Sequence, residues 1–234
     1  MAQFDMVRRL AAEALGTFFL LAAIVGSGIM GQQLTGGNLA VVLIGNTLST
    51  AAALIVLIML FAPISGAHFN PAVTLAFLLR REITPGAAGI YVVTQIFSGV
   101  AGVLAVHLMF DQPLVQFSQH MRYGPGQWLG EGIATFGLVM TILGTIRWHP
   151  SAVPYAVGLY IAAAMWFTSS TAFANPAVTI ARVLTDSFSG IAPGSALPFL
   201  AVQLLGAALA TAFMGWLLLP SASAEQRDGQ GDLP

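Results

Sequence analysis

Two copies of an asparagine-proline-alanine motif are the most specific feature of this sequence. Residues 70–76 read NPAVTLA and residues 175–181 read NPAVTIA, identical at six of seven positions. Asparagine is a favoured N-cap, and proline suits the first helical position because its φ is already correct and it has no N–H to leave unpaired. Each asparagine side chain could cap its helix through the carbonyl oxygen and point two N–H donors at a passing hydroxyl or water. The motifs therefore predict two helix starts, at Asn70 and Asn175, with hydrogen-bonding side chains.

Carboxylates and amides accompany the two motifs as a second set of pairs. Glu13 begins the segment EALGTF, Glu131 begins EGIATF, and Gln95 has a counterpart in Gln203. An ionisable residue inside an apolar segment is costly and is functional by default. The alternative for both glutamates is an interfacial position among lipid headgroups. The two glutamines are expected to hydrogen-bond between helices or to loops.

The elements that must position these residues are membrane helices. Of 234 residues, 57% are apolar and 7% are charged, against roughly 25% charged in a soluble domain. A helix needs about 20 mostly apolar residues to cross a bilayer. Six stretches meet this requirement: 10–30, 38–62, 86–110, 128–146, 155–170 and 195–219.

Charge and composition exclude several classes of function. The net charge of −1 without a basic run excludes a nucleic-acid partner, and the absence of cysteine removes thiolate metal sites and thiol nucleophiles. The polar residues are too few to form a recognisable catalytic set, metal cluster or cofactor motif. We therefore expect neither an enzyme nor a cofactor.

The arginines indicate how the chain is oriented. Six of them fall on the side of the N-terminus (Arg8, Arg9, Arg80, Arg81, Arg147 and Arg227) and two on the other (Arg122 and Arg182). By the positive-inside rule both termini are cytoplasmic, in an inner (plasma) membrane. The polar segment 221–234 is predicted to be a disordered cytoplasmic tail.

The paired motifs divide the chain into two repeats, 8–110 and 128–220. Each repeat holds three spans, an odd number, so the two copies cross the bilayer in opposite directions, as in proteins that place a solute path between discontinuous helices. Non-helical backbone in 63–69 and 171–174 is tolerable at membrane depth only if it lines a wet cavity. Two helix N-termini at the centre would repel cations. The pattern predicts a pore.

Together the segment SGAHFNPAVT at 65–74, the second motif, the paired glutamates and the six-span inverted repeat resemble the aquaporin (major intrinsic protein) family over about residues 8–220. The resemblance implies an all-α integral membrane fold, with six transmembrane helices plus two half-helices in one channel domain (1–234). It also implies a homotetramer with one pore per subunit, in a lipid bilayer.

The resemblance implies roles for individual residues. Glu13 and Glu131 would brace the loops before the half-helices, with proton relay as the alternative. The pore centre would be formed by Asn70, Pro71, Ala72, Asn175, Pro176 and Ala177, and backbone carbonyls of Gly66, Ala67, His68, Thr171 and Phe173 would line the pore.

The sequence departs from the family at the constriction, where most members have arginine after the second motif and this chain has Val178. The family's spacing assigns the other filter positions to Thr50, Ala163 and Ala172. We expect a wide, weakly polar pore for water and for neutral solutes such as glycerol, urea and metalloid hydroxides like arsenous acid, as in arsenic-associated bacterial aquaglyceroporins. The alternatives are a water-selective channel and a coupled transporter.

Arg182 is a candidate to replace part of the missing positive field. It follows Val178 by four residues and so shares its helix face, from which it would reach the outer vestibule. The alternatives are that Arg182 snorkels to the membrane surface or pairs with Asp186.

Overall fold

Residues 4–219 are described by a computed structural model, and the regular secondary structure in this range is helical, with no strand. The α-helices are α1 (Met6–Leu34), α2 (Leu39–Ser65), α3 (Pro71–Leu79), α4 (Pro85–Met109), α5 (Pro125–Trp148), α6 (Val153–Phe167), α7 (Pro176–Ala181) and α8 (Pro193–Leu217). Five of them begin at a proline, which suits a first helical position. The predicted tail, 221–234, lies outside the described residues.

Six helical segments of this range are long and apolar enough to cross a membrane: α1, α2, α4, α5, α8, and α6 together with the 3-10 turn Pro150–Ala152. The six predicted spans are confirmed, with differences at their ends. The fifth was expected to reach residue 170, but α6 ends at Phe167 because Thr168 adopts extended backbone angles.

The second helix continues further than the sequence predicts. Non-helical backbone was expected from residue 63, yet α2 runs through Pro63 to Ser65. Proline is tolerated inside a membrane helix when local adjustments and neighbours satisfy the freed backbone groups. Gly66 ends the helix with a φ of 89°, the left-handed conformation that glycine adopts at no steric cost. The first irregular loop therefore spans residues 66–69.

Both motifs begin a short helix, as predicted. The side-chain oxygen of Asn70 accepts the N–H of Ala72 at 2.8 Å, and that of Asn175 accepts the N–H of Ala177 at 2.9 Å. The helices are 9 and 6 residues long, too short to cross a bilayer. They are half-helices.

The long helices pack in two matching sets. In one, α1 contacts α2 and α4; in the other, α5 contacts α6 and α8. The half-helices pack crosswise, α3 against α8 and α7 against α4, which joins the sets around a common centre. Backbones approach closely at the α1–α4 and α5–α8 crossings: a Cβ on Gly102 would lie 2.4 Å from the carbonyl oxygen of Phe18, and one on Gly206 would lie 2.6 Å from that of Gly132.

Candidate functional site

A cavity of about 300 Å³ lies between the half-helices and the long helices. One wall is apolar and is formed by Leu20, Ile24, Leu54, Ile58, Leu138, Ile142, Val157, Ile161 and Met165. The opposite wall is formed by the two loops that precede the half-helices, residues 66–69 and 171–174, here called the first loop and the second loop. The cavity is therefore apolar on one side and lined by irregular backbone on the other.

Asn70 and Asn175 lie at the centre of the cavity and join the two halves. The amide of Asn70 donates to the carbonyl oxygen of Ala174 at 2.8 Å, and that of Asn175 donates to the carbonyl oxygen of Phe69 at 2.9 Å. The sequence predicted two N–H donors per amide for the lumen. Because one N–H of each amide links the halves, one remains for a solute.

The other central residues predicted from the motif lie behind the asparagines. Pro71, Ala72, Pro176 and Ala177 are buried but do not line the cavity. They form the first turns of the half-helices, whose N-termini face the centre and carry the positive ends of the helix dipoles.

The two loops share an unusual backbone that exposes their carbonyl groups. Residues 66 and 171, 67 and 172, and 69 and 174 are equivalent by their distance from the motif asparagine, and all six have φ between 47° and 89°. Five of these are not glycine (Ala67, Phe69, Thr171, Ala172 and Ala174), and such positions cost of order 1–3 kcal/mol each. The carbonyls predicted to line the pore, those of Gly66, Ala67, His68, Thr171 and Phe173, belong to cavity-lining residues and accept no hydrogen bond from residues 4–219. They are free to accept from a solute.

Glu13 holds the first loop in this conformation. Its carboxylate is fully buried and accepts the backbone N–H groups of His68 at 2.9 Å and Phe69 at 2.7 Å. It also accepts the hydroxyl of Ser65 at 2.7 Å and the amide of Gln95 at 2.9 Å. Four donors satisfy the carboxylate at the site where the backbone is strained.

Glu131 does the same for the second loop. It accepts the backbone N–H groups of Phe173 at 2.8 Å and Ala174 at 2.9 Å, and the amide of Gln203 at 2.6 Å. The interfacial alternative for the two glutamates is wrong, because both are fully buried.

Two threonines complete the frame and were missed as site residues. Thr74 accepts from the amide of Gln95 at 3.1 Å and donates to the carbonyl oxygen of Asn70 at 3.1 Å. Thr179 makes the matching contact with Gln203 at 2.9 Å. The signal was present in the sequence, since each threonine stands four residues after its motif asparagine.

Three of the four predicted filter residues line the cavity: Thr50, Ala172 and Val178. The hydroxyl of Thr50 is buried and has no hydrogen-bond partner within residues 4–219. This end of the cavity, with Thr50 and Val178, is here called the filter end.

The assignment of Ala163 to the filter is corrected by the structure. Ala163 is exposed on the outer face of α6 and does not line the cavity, whereas Ile161 and Met165 do. Two residues turn an α-helix by about 200°, so the family spacing, counted back across the loop from Asn175, selects the wrong face. Met165 occupies the α6 side of the filter end.

Arg182 lies at the cavity and not at the membrane surface. It is 5% exposed, lines the cavity, and donates through Nε to the carbonyl oxygen of Ser189. Its Cζ stands 3.4 Å from the centroid of the Phe173 ring. Asp186, the alternative partner, instead accepts a backbone N–H from the loop between α4 and α5.

Arg122 is a second buried arginine, which sequence analysis counted only as a loop charge. It is 5% exposed, and its Cζ lies 4.9 Å from the centroid of the Phe173 ring. No motif marks it, because its contacts come from segments that are distant in the chain. Phe173 and Arg182 line the cavity, whereas Arg122 does not line it and contacts the same aromatic ring.

Six spanning helices with two half-helices that meet at a central cavity define a membrane channel. The family model for the major intrinsic protein matches residues 1–148 and 144–230. The chain belongs to the major intrinsic protein family, and is a passive channel for water and small neutral solutes.

The similar proteins are members of this family. The chain is 53% identical to Aquaglyceroporin AqpS of Rhizobium meliloti (strain 1021) over 221 residues, which cover 94% of each chain. It is 33% identical to a probable TIP-type aquaporin of Medicago truncatula, covering 75% of this chain and 74% of that one. Its fold matches the X-ray structure of the aquaglyceroporin from Plasmodium falciparum with a TM-score of 0.70 at 20% identity, over 89% of this chain and 95% of that one.

Proposed function

We propose that this channel passes neutral solutes larger than water, such as polyols of glycerol size, urea and neutral metalloid hydroxides like arsenous acid. The observation that carries the proposal is the filter end, where Val178 stands in place of an arginine and Ala172 and Thr50 add little bulk. The 53% identical relative is called an aquaglyceroporin, which agrees with a solute of this size.

The two unlike walls of the cavity suit such solutes. A polyol has an apolar carbon side and a row of hydroxyl groups. Its carbon side would contact the wall that contains Leu54 and Ile161, while its hydroxyls would donate to the free carbonyls of the two loops. Thr50 and the remaining N–H of each central asparagine would provide further partners.

Exclusion of cations and protons is assigned to two sources of positive potential. The half-helix N-termini at the centre provide roughly half an elementary charge each. Arg182 provides a full charge at the filter end, where its Nη groups have no acceptor within residues 4–219. In this proposal Arg182 replaces the family's filter arginine from a position four residues further along the chain, immediately after α7 ends at Ala181.

The assembly and orientation belong to the same proposal. We assign a homotetramer with one pore per subunit in the plasma membrane, with both termini cytoplasmic because six of eight arginines fall on that side. The inverted repeats are assigned to 8–110 and 128–220, and conduction involves no enzymatic step.

Swelling and solute release of proteoliposomes test the proposal with solutes of increasing size. The native protein should pass water, urea and glycerol. Val178→Arg should reduce glycerol release to the rate of protein-free vesicles while it leaves osmotic water flow well above that rate, because the long side chain narrows the filter end. Val178→Leu is the matched control, which tests added volume without charge.

Two outcomes would contradict the proposal. Water flow with complete exclusion of glycerol by the native protein would indicate a water-selective channel. Solute flux that saturates and follows a proton or sodium gradient would indicate a coupled transporter.

A further inference from the structure

Arg122 connects the chain before the second half-helix to the chain after it. Its Nε donates to the carbonyl oxygen of Gly190 at 2.9 Å and its Nη2 to that of Phe188 at 3.1 Å. Its Nη1 donates to the carbonyl oxygen of Ser170 at 3.3 Å. A planar guanidinium with donors in a rigid fork can hold three such carbonyls together, whereas an ammonium group cannot match this geometry.

The charge of Arg122 has no carboxylate in contact with it. Within residues 4–219 the ion pairs are Arg8 with Asp5 and Arg80 with Glu82. Burial lowers the pKa of Arg122 to about 10, and the Glu131 carboxylate opposes this shift. The group therefore stays charged at neutral pH. A buried charge without a carboxylate partner is costly, so packing of apolar surface does not account for an arginine at this position.

The ring of Phe173 contacts the guanidinium groups of both Arg122 and Arg182. The two guanidinium groups flank one ring, with Cζ-to-centroid distances of 4.9 Å for Arg122 and 3.4 Å for Arg182. The aromatic face attracts both cations. Within residues 4–219 the Arg182 side chain makes one hydrogen bond, from its Nε to the carbonyl oxygen of Ser189, so the orientation of its free Nη groups depends on this ring.

The loop that carries the ring needs such support. Thr171 adopts a φ of 62°, a conformation that is a genuine outlier for a β-branched residue. Arg122 binds at this point, since Nη1 contacts the carbonyl oxygen of Ser170 and lies 3.4 Å from the Thr171 hydroxyl.

We propose that Arg122 is a positioning residue of the filter end, which holds the second loop and the Phe173 ring so that Arg182 directs its charge into the cavity. The inference rests on the proposed role of Arg182 in excluding cations. The exclusion of cations, which most family members assign to one filter arginine, is then divided between two residues. Arg182 faces the solute, and Arg122 fixes the position of Arg182.

Proton conductance and glycerol release of proteoliposomes test this inference in one series. Arg122→Gln and Arg182→Gln should each raise proton conductance on the order of tenfold, because each loses the oriented charge. Arg122→Lys should behave like Arg122→Gln, since lysine keeps the charge but loses the fork. The double variant Arg122→Gln/Arg182→Gln should leak no more than Arg182→Gln alone, because residues that act through one another are not additive. Arg147→Gln, at an exposed arginine that does not line the cavity, is the matched control.

A second variant covers the case in which Arg122 variants fail to reach the membrane. Phe173→Leu removes the ring and leaves both arginines, and it should raise proton conductance in the native background but not in Arg182→Gln. Normal conductance in Phe173→Leu would overturn the inference.

Other results separate the inference from the function on which it rests. The inference fails if Arg122→Lys matches the native protein, or if the effects of Arg122→Gln and Arg182→Gln multiply. It also fails alone if Arg182→Gln leaks while Arg122→Gln behaves like Arg147→Gln. The proposed function fails instead if the native protein releases no glycerol.

Discussion

The first and second loops are built on the same frame. In each, a buried glutamate accepts two successive backbone N–H groups and one glutamine amide, and that amide also binds a threonine of the half-helix. Positive φ angles recur at the same three positions. In both loops the frame points carbonyl groups at the cavity. Because the two loops share this frame, the frame does not distinguish one end of the cavity from the other.

The side chains around the frame differ between the two loops. His68 in the first loop stacks on Phe77, with ring centroids 4.7 Å apart. Phe173 in the second loop takes the place of His68, and Arg182 takes the place of Phe77, since both stand seven residues after the motif asparagine. One end of the cavity therefore has a neutral pair of stacked rings, and the equivalent positions at the other end have a cation packed on an aromatic ring.

The solute path and the selectivity against charge therefore have separate structural origins. The symmetric frame forms the solute path, and asymmetric side chains place charge at one end of it. Variants in the frame should therefore have equal effects in both halves, whereas variants in the side chains should not.

The largest effect is expected from the frame. Glu13→Gln and Glu131→Gln each replace a double acceptor with a group that turns an N–H₂ toward a backbone N–H. We expect each variant to lose about 2 kcal/mol or more of unfolding free energy and most of its glycerol release, measured by thermal unfolding in detergent and by proteoliposome flux. Glu82→Gln, an exposed glutamate, should change neither. A large loss of unfolding free energy or glycerol release in only one of the two variants would show that the two frames are not equivalent.

A smaller effect is expected from moving the charge between the ends. Arg182→Phe makes the second loop resemble the first and should raise proton conductance on the order of tenfold, because a full charge is lost from a poorly solvated site. Adding Phe77→Arg restores a charge at the opposite end and should recover part of the exclusion. Unchanged conductance in Arg182→Phe would show that the half-helix dipoles suffice.

The smallest effect concerns the α6 wall of the filter end. Met165→Ala should speed the release of polyols larger than glycerol a few-fold relative to water, since side-chain volume is removed from the constriction. Ala163→Val, on the exposed face of α6, should leave this ratio unchanged. The reverse result would support the family spacing over the observed face of α6.

Much of the fold could be predicted because it depends on local signals. Apolar length predicts the spans, and Asn-Pro predicts the half-helix starts at Asn70 and Asn175, because both signals act within a few residues. The error at Ala163 arose where a spacing had to be counted through the loop that follows α6. The end of α6 could not be known from the count, and a shift of two residues moves a side chain to the opposite face of a helix.

The frame around the loops was predictable only in part. Glu13 and Glu131 were recognisable as a functional pair because each lies in an apolar segment, where an ionisable side chain is energetically costly. Their partners could not be assigned, since Ser65 and Thr74 become neighbours of Glu13 and Gln95 only when the first loop folds between α1 and α4.

The amino-acid sequence is enough to predict the membrane class, the two half-helices and the inverted repeat, and it places valine instead of arginine at residue 178. Each of these features depends on local signals, namely the length of an apolar segment or the residues that cap a helix. The position of positive charge at the filter end depends instead on tertiary packing. Arg122 and Arg182 meet at Phe173 because three segments distant in the chain pack there, and a buried guanidinium acquires its role from the carbonyls and the ring that surround it.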